Sequence, residues 1–300
     1  MKDFSGSGKF SIRLGLITII FVTFNYGCVS SIKLQSIQSS PSPVSNATLP
    51  STDSGTIQPA TAFTHSLDTA DFPAEVVWEM LDQLNKEEAL IDLRRFSGDE
   101  PICIDSECYT IKNRLTGSEG LQWAKDYIYK ELASLGYYVE FQDWSKSGYA
   151  DQNIIAKKWG TIFPNEEVYF VAHIDGAKTV WRNRFPAADD NASGVADILE
   201  VARILSNYSF GRTLVFFFST GEEQGTLGVK SYLNGLSQEG LSSIKYVINI
   251  DMVGYDEDHN GAMELWHGDH SPSLALTQLI SEIIAAYHLN LSPSLVVGCG

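Results

Sequence analysis

Three apolar runs constrain this chain more than any other feature: EVYFVAHID (167–175), RTLVFFFST (212–220) and YVINIDMVGY (246–255). Each is apolar almost throughout instead of alternating, which is the pattern of strands covered on both faces. Helical periods surround them. PAEVVWEMLDQLNKEEALIDLRRF (73–96) reads as one amphipathic helix, and SEGLQWAKDYIYKELASLG as a helix capped at Ser118 with Leu121, Ala124, Ile128 and Leu132 facing inward, leading through Gly136 into a strand. SGVADILEVARILSNY (193–208), TLGVKSYLNGL and SLALTQLISEIIAAYHL supply three more. Strands alternating with helices predict an α/β chain, a three-layer α/β/α sandwich around a mostly parallel mixed sheet. With 300 residues, 44% of them hydrophobic, and no internal repeat, one large core is expected.

The first 66 residues stand apart from that pattern. Lys2, Lys9 and Arg13 precede the short apolar run LGLITIIFVTF (14–24), which reads as an export signal over 1–28. The run is short for a membrane span. Gly27-Cys28 resembles the end of a bacterial lipobox, although Asn25 departs from its usual aliphatic residue, so a lipid on Cys28, simple secretion and an uncleaved anchor all remain open. Residues 29–66 are rich in Ser, Thr and Pro and read as a disordered tether, with a catalytic domain over 67–300. Export permits a local bridge across CIDSEC, between Cys103 and Cys108, leaving Cys299 without a partner; unpaired structural cysteines are the other reading. A net charge of −16 argues against nucleic acid as a partner, because phosphate backbones demand basic patches.

The polar residues gather where open α/β sheets bind ligands, at the carboxyl ends of strands. His173 and Asp175 end one apolar run, Glu222 and Glu223 follow the second, Asp251 interrupts the third, and Asp189 and Asp190 precede a helix. Taken singly, each has a bland reading as a core histidine, a helix start or a cap. Asp251 is harder to dismiss, since a charge inside YVINIDMVGY would be buried with no cation near it in sequence. One histidine with several carboxylates and no cysteine suits catalytic Zn²⁺. Asp189, Glu223, Asp251 and a bridging hydroxide balance two such ions, and one aspartate of the pair can bridge metals about 3.5–4 Å apart.

VAHIDG, ADDNASG, STGEEQGTLGVKSYL and INIDMVGY, in this order, resemble the motifs of the zinc-dependent aminopeptidases of metallopeptidase family 28. NRLTGSEG (113–120) and NIIAKKWG (153–160) are similar to the segments that precede that family's first metal-binding strand, so the resemblance runs over about residues 109–255. It implies that His173 binds one zinc and that Asp175 orients its imidazole. It implies Asp189 as the bridging ligand with a cis Asp189–Asp190 peptide, Glu222 as the general base, Glu223 as a ligand of one zinc and Asp251 of the other. The activity implied is an exported aminopeptidase acting on peptides, with two Zn²⁺ per chain.

The family's fifth ligand is a histidine further downstream, and His259, His267, His270 and His288 do not fit its motif. The expectation is therefore a fragment whose last ligand lies beyond Gly300. Two alternatives share the fold: a single-zinc glutaminyl cyclase, and a metal-deficient binding domain. Side-chain preference, and amino- against carboxy- or dipeptidase action, depend on pocket walls that the motifs do not describe.

Overall fold

The computed structural model describes residues 74–178 and 185–298. The export signal, the tether, Cys28, Cys299 and most of the aromatic stretch AKTVWRNRF (177–185) lie outside the described residues.

The chain begins with two helices, α1 (Ala74–Asp82) and α2 (Lys86–Ser97), where the periodicity predicts one. The break comes from Asn85, which turns out of helical geometry and accepts the Glu88 N–H on its side chain at 3.3 Å, starting a new helix. Glu87 and Glu88 sit at the positive end of α2 and Arg94 and Arg95 at its negative end. A small hairpin follows, β1 (Ile102–Ile104) with β2 (Glu107–Tyr109), in which the paired Cys103 and Cys108 form the disulfide anticipated across CIDSEC. In α3 (Glu119–Ser134) the Ser118 hydroxyl caps the Leu121 N–H, and Leu121, Ala124, Ile128 and Leu132 are wholly buried, as their spacing requires.

The central sheet holds β3 (Tyr138–Lys146), β4 (Tyr149–Lys158), β5 (Phe163–His173), β6 (Arg212–Ser219) and β7 (Ile244–Asn249) in the order β3-β4-β6-β5-β7. Only β6/β5 and β5/β7 are parallel; β3/β4 and β4/β6 are antiparallel, so the sheet is evenly mixed where the sequence predicts mostly parallel. The reason is local. Ser147 and Gly148 both take positive φ, 56° and 83°, closing a two-residue hairpin between β3 and β4 where a parallel pair would need a long crossover.

Side chains of β6 alternate between two cores. Leu214, Phe216 and Phe218 enter the larger one, with residues of α1, α2, α3 and α4 (Gly194–Leu205). Val215 and Phe217 enter a smaller one, closed by Val229, Tyr232 and Leu233 of α5 (Leu227–Gly235). Helices α2 and α3 pack on α4, which lies against β5 and β6; α5 and α6 (Gln238–Ser243) cover the opposite face. This gives the three layers. Beyond β7, α7 (Ser271–Ala286) packs on a parallel pair, β8 (Ala262–His267) and β9 (Ser292–Val297). Among the described residues no helix is long and apolar enough to cross a membrane.

Candidate metal centre

The three parallel strands end on one rim, and each releases a polar loop there. His173 is the last residue of β5 and is 4% exposed. Its Nδ1 lies 3.0 Å from the Asp175 backbone carbonyl and 3.7 Å from the Asp175 carboxylate; its Nε2 lies 3.1 Å from Asp190 Oδ1 and 3.6 Å from Asp251 Oδ1. The imidazole is thus fixed from behind and presents one nitrogen to two carboxylates. Burial works against a charge on His173, but hydrogen bonds with Asp175, Asp190 and Asp251 overcome it and push the imidazole up to about 12.

Asp190, not Asp189, meets His173. Residues Ala188–Ser193 form a π-type turn in which Asp190 and Asn191 leave helical φ/ψ, and the cis peptide is Asp190–Asn191 where the resemblance implies Asp189–Asp190. The Asp189 carboxylate points elsewhere, accepting the Gly254 N–H at 2.8 Å. Two adjacent carboxylates in a tight turn must diverge, and no periodicity in DDNAS says which one faces the rim. Its hydrogen bond to His173 holds the Asp190 carboxyl below the ordinary range against the cost of burial, and the Arg114 charge adds to this.

Asp251 also departs from expectation. Strand β7 stops at Asn249, so Asp251 stands past the strand with its side chain 40% exposed and is not buried within it. The Ile250 N–H still bonds to Val171 O at 2.8 Å, which fixes the point where the loop leaves the sheet. Just behind, α4 starts at Gly194, where a Cβ would overlap both Asn191 Oδ1 and Ile250 O. The small residues of NASG let the helix close on the rim.

Asp175 is fully buried, and its two oxygens accept the backbone N–H groups of Glu222 (3.1 Å) and Glu223 (3.2 Å). Its backbone carbonyl is thus the nearer contact of the imidazole, while its carboxylate fixes the glutamate turn after β6. Burial pushes the Glu222 carboxyl above its usual range against the pull of His173, and Asp175, Asp251 and Asp190 add to the rise. For Glu223, burial and then the Asp190 charge push it up to about 7. Glu223 Oε1 is buried and without a hydrogen-bond partner, a costly state that a bound cation would relieve.

Under this rim lies Arg114, a residue that the motif pattern gives no role. It is 1% exposed and donates only to main-chain carbonyls: Nε to Ile174 (2.7 Å), Nη1 to Phe96 and to Pro186 (3.0 Å), and Nη2 to Ala187 (2.8 Å). Burial lowers its guanidinium to about 10, opposed by the charges of Asp175, Asp190 and Glu223. A fork of donors inside the fold has no counterpart in hydropathy, so only the packed structure reveals it.

Ligand atoms of His173, Asp190 and Asp251 all lie within 4.8 Å of one another. Donors about 2.1 Å from a tetrahedral zinc stand roughly 3.4 Å apart, and the 3.1 and 3.6 Å separations at Nε2 bracket that value. One nitrogen and two carboxylate oxygens are a donor set that fits zinc.

Residues 153–296 match the model of Peptidase family M28. The matched stretch, just under half of the chain, is similar to that family. The M28 match contains all of the rim residues described above. "Leupeptin-inactivating enzyme 1" of Streptomyces exfoliatus is 30% identical over 156 residues, which are 49% of this chain and 34% of that protein. The chain spans about a third or less of the length of most curated relatives it matches. Among solved structures, the Legionella pneumophila LapA aminopeptidase superposes with a TM-score of 0.60 at 20% identity, covering 75% of this chain and 57% of that one. BSAP, a zinc aminopeptidase from Bacillus subtilis, gives 0.58 at 16%, covering 72% and 80%. At such identities these two likenesses speak for the fold alone.

Proposed function

We propose that the M28-like domain is the catalytic part of an exported zinc aminopeptidase that removes N-terminal residues from peptides. The observation that carries this reading is the convergence of His173, Asp190 and Asp251, together with a buried, unpartnered oxygen on Glu223. The names of the relatives, which include leucine aminopeptidases and an aminopeptidase of Bacillus subtilis, supply the substrate class. The Lys- and Arg-flanked apolar run at the N-terminus supports export.

His173, Asp190 and Asp251 would hold one zinc. Asp190 shared with Glu223 would hold a second. Zinc bound there supplies Lewis-acid polarisation of the scissile carbonyl and lowers the pKa of a coordinated water. The rest of the work falls to the chain. Asp175 keeps the imidazole and the glutamate turn in register. Glu222, whose carboxyl burial pushes above its usual range, takes the proton from the attacking water on a carboxylate oxygen and returns it to the leaving amine as the C–N bond breaks.

The test pairs metal analysis with hydrolysis of a panel of aminoacyl-nitroanilides, on this chain and on a form extended past Gly300. Two zinc ions and release of nitroaniline by the extended form are the expected result. Absence of both metal and hydrolysis in either form would overturn the assignment.

A further inference from the structure

The turn that carries Asp190 also grips the loop that carries Asp251, and it does so on both sides of that residue. Ahead of Asp251, the Asn191 side chain donates to Ile250 O at 2.8 Å. Behind it, Ser193 Oγ accepts the Val253 N–H at 3.1 Å, and Asp189 Oδ1 accepts the Gly254 N–H at 2.8 Å. Ser193 Oγ in turn donates to the Asp189 carbonyl at 2.7 Å, closing the two straps into one unit. Residues 189, 191 and 193 therefore hold the neighbouring loop, while residue 190 alone faces His173.

We propose that Asp189 is a positioning residue, not a ligand: its carboxylate straps the Gly254 amide and so sets the distance at which Asp251 stands from Asp190. The proposal rests on the zinc-site reading for its consequence but not for the strap itself. The chemistry separates the two roles. A strap needs an acceptor oxygen, which an amide side chain retains; a zinc bridge needs a carboxylate with two free oxygens.

The experiment compares the wild-type chain with D189N, D189A and D190N. Zinc affinity is read by competition with a chromogenic chelator, and exchange of the Val253 and Gly254 amides is read in the metal-free protein. D189N is expected within about threefold of wild type in zinc affinity. D189A should weaken binding by about 10- to 100-fold, the range for a residue that supports a ligand without touching the metal, and D190N should abolish the site. In the metal-free protein, D189A should speed Gly254 exchange about fivefold or more and D189N should leave it near wild type. D189S serves the same comparison should D189A not fold. Loss of zinc by D189N as complete as by D190N would make Asp189 a ligand and overturn the proposal, as would Gly254 exchange that D189A and D189S leave unchanged. If the wild-type chain took up no zinc, the zinc reading would fall, and the exchange data would still decide the strap.

Discussion

The Asp175 carboxylate reaches across 47 positions of sequence to accept the Glu222 backbone N–H at 3.1 Å, and with its other oxygen the next amide along. A residue expected to serve the histidine is thus equally the anchor of the glutamate turn, and it ties the loops after β5 and β6 together.

Replacing Asp175 with Asn tests that coupling. The amide keeps one acceptor and puts a donor against the other N–H, so a buried amide is left unsatisfied at a cost of about 1–3 kcal/mol. Thermal unfolding should shift down by roughly 2–10 °C for a chain of this size. Turnover should fall as well, since both Glu222 and His173 lose their common support.

Glu222→Ala removes the proposed proton carrier and none of the groups that converge on His173 Nε2. Hydrolysis of aminoacyl-nitroanilides should fall by about 10²–10⁴-fold, the usual contribution of a general base. Zinc content should stay at the wild-type level. A variant that kept its activity would show that the proton leaves by another route.

Arg114→Lys keeps the charge but not the planar fork, leaving at least one of four carbonyl partners unserved. Denaturant unfolding should show a loss of about 1–3 kcal/mol. Arg114→Met, which also removes a positive charge from beneath Asp175, Asp190 and Glu223, should lose at least as much stability.

Stripping zinc with a chelator should lower the unfolding temperature, and adding it back should restore it. Free zinc at 100 times its dissociation constant stabilises a single site by about 2.7 kcal/mol. The difference between metal-loaded and stripped protein should vanish in His173→Ala, since His173 supplies the only nitrogen of the converging group. Calorimetry with and without added zinc provides the check.

The sequence carried the layers of the fold and the rim on which its polar residues meet, because apolar runs and strand ends leave a strong periodic signal. What it carried less well were matters settled by single residues. Asn85 splits a continuous helical period by capping a new helix, and Ser147-Gly148 turns a strand back antiparallel with only two residues. Asp251 reads as buried from its apolar neighbours, yet β7 ends two residues earlier and frees it. The choice between Asp189 and Asp190 rests on a turn whose dihedrals follow no repeating pattern. Arg114 is legible only after packing, for its partners come from three separate places in the chain.

The Arg114 contacts have one further consequence. Its acceptors belong to Phe96, Ile174, Pro186 and Ala187, and in every case the atom held is a carbonyl oxygen of the main chain. Such a grip is indifferent to what those residues display beyond the backbone. At Pro186 and Ala187 the grip therefore asks nothing of the side chain, while Phe96 and Ile174 are fixed a second time by the core in which they are buried.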